Sequence, residues 1–382
     1  MKEPFEQGPI RPPSEASSLL LRLTRNCPWN RCAFCSTYKD ERFSMRSVEE
    51  IKQDIDNMGA IADRLREFSV QEGEGGVISE KIARLVFARH PFYDEYDRTV
   101  ALWLYRGGET IFLQDADSLV MKTDDVAEIL HYIRHVFPSV RRITTYCRSH
   151  TAARKTIEEL KILKDAGLER IHVGLESGSD TVLKIIRKGA SAEEHITAGT
   201  NIMAAGLSLS EYIIPGLGGT IHSRQHARET ARVINAINPD FVRLRTLHVV
   251  DGTPLIDMMQ SGEFQPPGDE DIVKEIREFI ECLEGINSTI VSDHILNLLE
   301  EIEGAMPKDK EKMLAVIDRY FSLSAKERLI FRLGRRRGIY RTLDDLADTG
   351  VYSELNDVVE HYERLGGDSL EKQLSAFMNG FI

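Results

Sequence analysis

The sequence predicts an α/β fold, a partial (β/α)6 barrel of parallel strands followed by a mostly helical C-terminal region. Three observations lead there. Compact, β-branched apolar segments of strand length recur from about residue 17 to residue 250. Helix-period stretches with their own start and stop signals separate them. From about residue 256 the strand signal nearly vanishes and helical patterns dominate.

The predicted strands are Leu19–Leu23, Thr110–Gln114, Arg142–Thr145, Arg170–Gly174, Ser208–Ile214 and Phe241–Leu247. Each is a short apolar run, as expected where both faces of a parallel strand are covered. Ser47 precedes Val48-Glu49-Glu50 and Ser191 precedes Ala192-Glu193-Glu194, and both fit capping boxes. Gly167, Gly189 and Gly206 each close a helical stretch, where the residue past the helix end takes positive φ. Such alternation implies right-handed βαβ units, with ligands at the C-terminal ends of the strands.

The expected organisation is an N-terminal extension (1–16), a barrel (17–255) and a helical C-terminal cap (256–382). An unusually long connection at about 68–105 interrupts the barrel. It opens with Glu72-Gly73-Glu74-Gly75-Gly76, reads as helical from Glu80 to Arg89, and is a candidate lid. In the cap, helical patterns cover Asp269–Leu283, Asp309–Phe321 and Ala325–Leu333, with a short strand possible at Ser288–Val291. No α/β module precedes residue 17, so no cobalamin domain is expected there.

The chain has 382 residues, 42% hydrophobic and 29% charged, enough for one large core or a core plus a smaller domain. Its net charge of −12 argues against a general nucleic-acid binder, whose phosphate contacts need a basic surface. No apolar run approaches the ~20 residues that span a bilayer. The proline-rich, polar start lacks a signal peptide's apolar stretch, so a cytoplasmic protein is expected. Five cysteines make a poor disulfide framework, and three of them fall within nine residues.

Those three form Cys27-Pro-Trp-Asn-Arg-Cys32-Ala-Phe-Cys35, directly after the first predicted strand. Thiolates are soft ligands that suit iron–sulfur clusters and zinc. Three of them leave one iron of a cubane without a protein ligand, as a substrate-binding cluster needs. A structural zinc site wants four closed ligands, and no second Cys-x2-Cys pair supplies the rest. Zinc is therefore the weaker reading.

The motif resembles that of the radical S-adenosylmethionine (SAM) superfamily. The family places three close cysteines after the first barrel strand, with an aromatic residue before the third. Phe34 holds that place here, and the spacing is Cys-x4-Cys-x2-Cys rather than the common Cys-x3-Cys-x2-Cys. The resemblance covers roughly residues 17–255 and implies a [4Fe–4S] cluster on Cys27, Cys32 and Cys35, with SAM as second cofactor. It places the SAM amino group against the loop after the second strand, where this chain has Asp115 and Asp117. Gly107-Gly108-Glu109 precedes that strand and reads as a turn.

After the fourth strand, Gly174-Leu175-Glu176-Ser177 looks like the family's ribose and methionine contact. A carboxylate can bridge two ribose hydroxyls. A helix-entry role beside an N-terminus is the plain alternative for Glu176. The glycine-rich loop around Gly216 would lie against adenine, since glycine lets backbone approach a ligand. Arg243 and Arg245 share one face of the sixth predicted strand. They would meet the SAM carboxylate or an acidic substrate, or else form an internal salt bridge with Glu211 or Glu176.

The resemblance implies reductive SAM cleavage to a 5′-deoxyadenosyl radical that abstracts hydrogen from a small-molecule or peptide substrate. A reductant such as flavodoxin or ferredoxin is then a partner, and neither membrane nor nucleic acid is expected. The other reading is a cluster- and SAM-binding chaperone or carrier without turnover, as for haem. Cys147 is expected to be a small buried hydrophobe, and His294 receives no catalytic role. Arg332, Arg335, Arg336, Arg337 and Arg341 read as a solvated, basic helix end.

Overall fold

The structure is a computed structural model that describes residues 3–89, 92–366 and 369–379. Ten strands are present in it. They are β1 (Leu19–Arg22), β2 (Thr24–Arg25), β3 (Ser44–Met45), β4 (Thr110–Gln114), β5 (Arg142–Cys147), β6 (Leu168–Glu176), β7 (Ser208–Ile213), β8 (Phe241–Leu244), β9 (Thr289–Val291) and β10 (Gly304–Ala305). Eight of them form one sheet in the order β1-β4-β5-β6-β7-β8-β9-β10. All six predicted strands are in it.

Parallel pairing sets Leu21 beside Leu113, Phe112 beside Thr144, Tyr146 beside His172, Tyr212 beside Arg243 and Val242 beside Ile290. The short strand foreseen near 288–291 is β9, which extends the parallel series, while β10 pairs with it antiparallel. β10 has only two residues, too few for any periodicity to announce. β2 and β3 form a separate antiparallel ribbon at the two ends of the cysteine loop.

Some boundaries differ from the sequence reading. The third strand runs on to Cys147, and the fourth spans Leu168–Glu176. The sixth stops at Leu244 instead of Leu247. The Arg245 N–H still bonds the Ile213 carbonyl at 3.0 Å, but the Thr246 N–H turns to the Asn297 side chain at 2.9 Å. A side-chain acceptor there replaces the ladder.

The capping boxes at Ser47 and Ser191 both form, each hydroxyl accepting from a glutamate N–H three residues on. Gly167, Gly189 and Gly206 have φ of 115°, 69° and 75°. The 68–105 connection consists of the end of a long helix (Val48–Gln71) and two more, Glu80–Ala88 and Glu95–Tyr105. The last was not foreseen, although Asp94 and Asp97 make it a full capping box. Gly107 and Gly108 turn the chain after that helix, as read.

The chain divides into two compact units. The first holds Met1–Asn30, Thr37–Val173 and Thr197–Leu209, and the second holds Arg31–Ser36, Gly174–Ile196 and Ser210–Ile382. Leu21, Ile55, Ile111, Leu130 and Ile171 are buried in the first. Val182, Ile234, Val242, Ile280 and Ile317 are buried in the second. Each set follows the apolar positions of its strands and helices, which is the hydrophobic driving force for the layers.

The basic stretch is a correction. Arg332, Arg335 and Arg336 are buried rather than solvated, and only Arg337 and Arg341 are exposed. Arg332 and Arg336 bond Asp269, and Arg335 bonds Glu300 together with the Leu298 and Tyr340 carbonyls. The acids come from distant sequence, so a charge run alone could not announce them.

Candidate active site

The cysteine loop starts where β2 ends. Asn26 and Asn30 hold positive φ of 68° and 44°, a conformation asparagine tolerates better than most residues. These two turns bring the Asn30 N–H to 3.4 Å from the Cys27 Sγ. Cys27 belongs to the first unit, while Cys32 and Cys35 belong to the second. All three thiols are half-buried and free of disulfides.

Within the second unit the loop is pinned at its middle. The Ala33 N–H donates to the Ile186 carbonyl at 2.8 Å, and the Ala33 carbonyl accepts the Leu255 N–H at 2.9 Å. Ala33 sits in an apolar cluster with Val182, Ile186, Ile214, Leu217 and Leu255, and Phe34 packs against it. The same cluster therefore supports the Cys32–Cys35 segment, the helix that follows Glu176 and the loop around Gly216. Among the described residues, no group of three or more His, Cys, Asp or Glu side chains is drawn together closely enough to hold a metal ion. The donor set still suits a cluster in its chemistry, with three soft thiols on one short loop and a backbone N–H facing one sulfur.

In the first unit, Asp115 is fully buried. Its Oδ2 accepts from Arg22 Nε at 2.8 Å and from the Asn26 N–H at 2.9 Å. Burial pushes its carboxyl up, and these donors pull it part of the way back. The N-terminal segment lies against it: a Cβ on Gly8 would fall 1.8 Å from Asp115 Oδ1. Gly8 also exchanges hydrogen bonds with the Gln114 amide at 2.8 and 3.0 Å. Asp117 is buried too, accepting from Thr151 Oγ1 at 2.5 Å and from the Arg148 N–H at 3.3 Å, and burial raises its pKa. Both aspartates thus already hold protein donors. Cys147 is buried as expected, and burial drives its thiol well up.

In the second unit, Glu176 ends β6 with φ of 61°, a left-handed conformation that costs a non-glycine residue energy. Its Oε1 pairs with Lys188 Nζ at 2.8 Å, and its carbonyl accepts the Ile214 N–H at 3.0 Å. Ser177 is buried and bonds His226. Gly216 has φ of 92° and donates its N–H to Glu275 at 2.6 Å. Glu211 is fully buried, and neither carboxyl oxygen has a hydrogen-bond partner. Burial, and then the charge of Glu176, holds its pKa well above the usual range, against the pull of Lys188.

Arg243 and Arg245 part company. Arg243 is buried and pairs with Asp293 at 2.8 Å and with Ser210 Oγ at 3.2 Å. Arg245 lies beyond the strand and is exposed. The partner of Arg243 is thus neither Glu211 nor Glu176. His294, half-buried, is pushed down to about 4 by burial and then by Arg245. The residues that sequence reasoning missed here are His226 and Glu275. They stand 49 and 98 positions from Ser177 in the chain and belong to no linear pattern.

The comparisons with known proteins agree with the cysteine motif. A family model described as the Radical SAM superfamily matches residues 21–234. The tRNA uridine(34) acetyltransferase of Methanocaldococcus infernus is 28% identical over 120 residues, covering 31% of this chain and 22% of that protein. The protein of the same name from Methanocaldococcus jannaschii is 24% identical over 120 residues, with the same coverages. The matched part is less than a quarter of either relative's length. Among solved structures, the cobalamin-dependent S-adenosylmethionine radical enzyme OxsB gives a TM-score of 0.44 at 13% identity, covering 95% of this chain and 58% of that one. The archaeal Methanocaldococcus infernus Elp3 gives 0.39 at 18% identity, covering 48% of each chain.

Proposed function

The chain belongs to the radical SAM superfamily, whose enzymes use a [4Fe–4S] cluster and SAM, and from that premise we propose that Cys27, Cys32 and Cys35 ligate the cluster in this enzyme. The observation that carries the reading is the cysteine loop itself. It offers three thiols and no fourth ligand nearby in sequence, and its middle is anchored through Ala33.

The chemistry supplied when cluster and SAM are bound is one-electron cleavage of the sulfonium to methionine and a 5′-deoxyadenosyl radical, which takes a hydrogen atom from the substrate. The chain's own residues bind and orient. Glu176, set by its strained backbone and by Lys188, presents a carboxylate to the ribose hydroxyls. The Gly216 backbone lies along the adenine, and Phe34 closes the apolar side of the loop. Arg243 and Arg245 receive carboxylate, the first within its Asp293 pair and the second from an open surface. Asp117 accepts the SAM ammonium only after exchanging a present protein donor for it, which makes it the more costly contact, whereas Asp115 keeps Oδ1 without a hydrogen-bond partner beside Gly8.

The substrate in this reading is a small molecule or peptide, and the electron comes from a flavodoxin- or ferredoxin-like donor in the cytoplasm. The net charge of −12 speaks against the tRNA named for the relatives. Among the described residues, no helix is long and apolar enough to cross a membrane.

The test is anaerobic reconstitution with iron and sulfide, then reduction in the presence of SAM. The expected products are methionine and 5′-deoxyadenosine. Tight SAM binding without cleavage, across candidate substrates, would instead identify a carrier.

A further inference from the structure

We propose that His226 is a positioning residue that locks together the Ser177 and Gly216 loops, and so sets SAM affinity without touching SAM. The proposal rests on the reading of those loops as the SAM site.

His226 lies in the Gly219–Ile237 helix and is 3% exposed, so each ring nitrogen must find a partner inside the protein. Its Nε2 is 3.1 Å from the Ile214 carbonyl. A carbonyl only accepts, so Nε2 carries a proton. Its Nδ1 is 2.8 Å from Ser177 Oγ, and that oxygen already accepts the Ser179 N–H at 3.0 Å. In the neutral imidazole with its proton on Nε2, Nδ1 is an acceptor and the Ser177 hydroxyl donates to it, with Thr230 Oγ1 3.3 Å from the same nitrogen. One imidazole thus bonds the loop after β6 through a side chain and the loop after β7 through its backbone.

Two neighbours complete the lock. Thr230, one turn along the same helix face, accepts the Gly178 N–H at 2.9 Å. Gly178 is pressed so closely on the helix that a Cβ there would meet the Glu229 carbonyl oxygen at 2.4 Å. Glu275, from the Asp269–Glu281 helix, accepts the Gly216 N–H with the carboxyl oxygen that lies 3.6 Å from His226 Nε2. Its other oxygen accepts from Ser223. Burial raises the Glu275 pKa, against the pull of the hydrogen bonds from Ser223 and Gly216. The positions of Glu176 and Gly216 are therefore fixed by groups that have no need to contact a ligand themselves.

The experiment measures SAM affinity and the KM and kcat for 5′-deoxyadenosine formation in reconstituted His226→Leu, His226→Gln, Ser177→Ala and Glu176→Gln enzymes. Iron content is measured alongside. His226→Leu is expected to weaken SAM binding about tenfold, the scale of a lost buried hydrogen bond, and to raise KM more than it lowers kcat at full iron content. His226→Gln has one N–H group and one carbonyl for the same two partners, and is expected to recover much of the loss. Combining Ser177→Ala with His226→Leu should cost less than the sum of the two, because one bond is shared between them. If His226→Leu does not fold, the Gln and Ala variants carry the same comparison.

Wild-type SAM affinity in the His226 and Ser177 variants, beside weakened binding in Glu176→Gln, overturns the lock and leaves the SAM-site reading standing. Unchanged affinity in all of them, Glu176→Gln included, refutes that reading and the lock with it.

Discussion

Arg336 Nη2 lies 2.6 Å from Asp269 Oδ1, in a pair whose side chains are 1% and 10% exposed. Asp269 Oδ2 meets Arg332 Nε at 2.9 Å, so one carboxylate serves two buried guanidinium groups. Removing it would leave the buried Arg336 without its carboxylate, while Arg332 keeps its pair with Glu371.

Asp269→Ala is therefore expected to destabilise the protein by about 3–5 kcal/mol, the usual cost of breaking a buried ion pair. Burial alone would raise the Asp269 pKa, but Arg336 and Arg332 outweigh it and hold it below the ordinary value. A depressed carboxyl contributes stability above its unfolded pKa of about 3.9, and that stability is lost as pH falls through the folded value. Urea denaturation at pH 7 and at pH 3 checks both claims. A loss of under about 1 kcal/mol at pH 7, the scale of an exposed pair, would show the cluster to be solvent-screened.

Glu211 carries the opposite sign. Its folded pKa is raised, so its contribution to stability is greatest below the unfolded value of about 4.3 and is lost as pH rises toward the folded value. Glu211→Gln keeps the shape and removes the charge. It is expected to raise Tm at pH 7 by on the order of 1–3 °C and to change it little near pH 4. Thermal scans of both proteins across pH 4–8 would reveal the divergence, and parallel curves would contradict it.

His294, with its pKa pushed down to about 4, stays neutral at physiological pH. Folding disfavours its charged form, so stability is lost as pH falls from the unfolded value near 6.5 toward 4. His294→Asn should flatten the stability profile in that window and leave it unchanged above pH 7. Titration of the imidazole by NMR gives the independent reading.

For the cluster, alanine at Cys27, Cys32 or Cys35 is expected to abolish bound iron, the visible iron–sulfur absorbance and SAM cleavage together. Cys147→Ala and Cys282→Ala are expected to keep all three. Stoichiometric iron in the triple variant would remove the assignment.

The legible part of this protein was its local chemistry. Strands at Leu19, Thr110 and Ser208 are short apolar runs whose sequence neighbours already set their conformation. The helix starts at Ser47 and Ser191 are bonds between residues three apart. Cys27, Cys32 and Cys35 announce themselves because one short loop supplies every thiol. The third helix of the 68–105 connection is less legible, because the Asp94 and Asp97 that cap it are residues that turns favour as well.

The sequence by itself determined the alternation of strands and helices and the three-thiol loop, since both depend on spacings of a few residues. Tertiary structure alone decided which charges are buried and with whom. Asp269 reaches Arg336 across 67 positions, Asp293 reaches Arg243 across 50, and His226 reaches Ser177 across 49. The physical reason is that a buried polar group takes whichever complementary group the packed layers bring within about 3 Å. That proximity follows from the path of the folded chain, and no periodicity in the sequence encodes it.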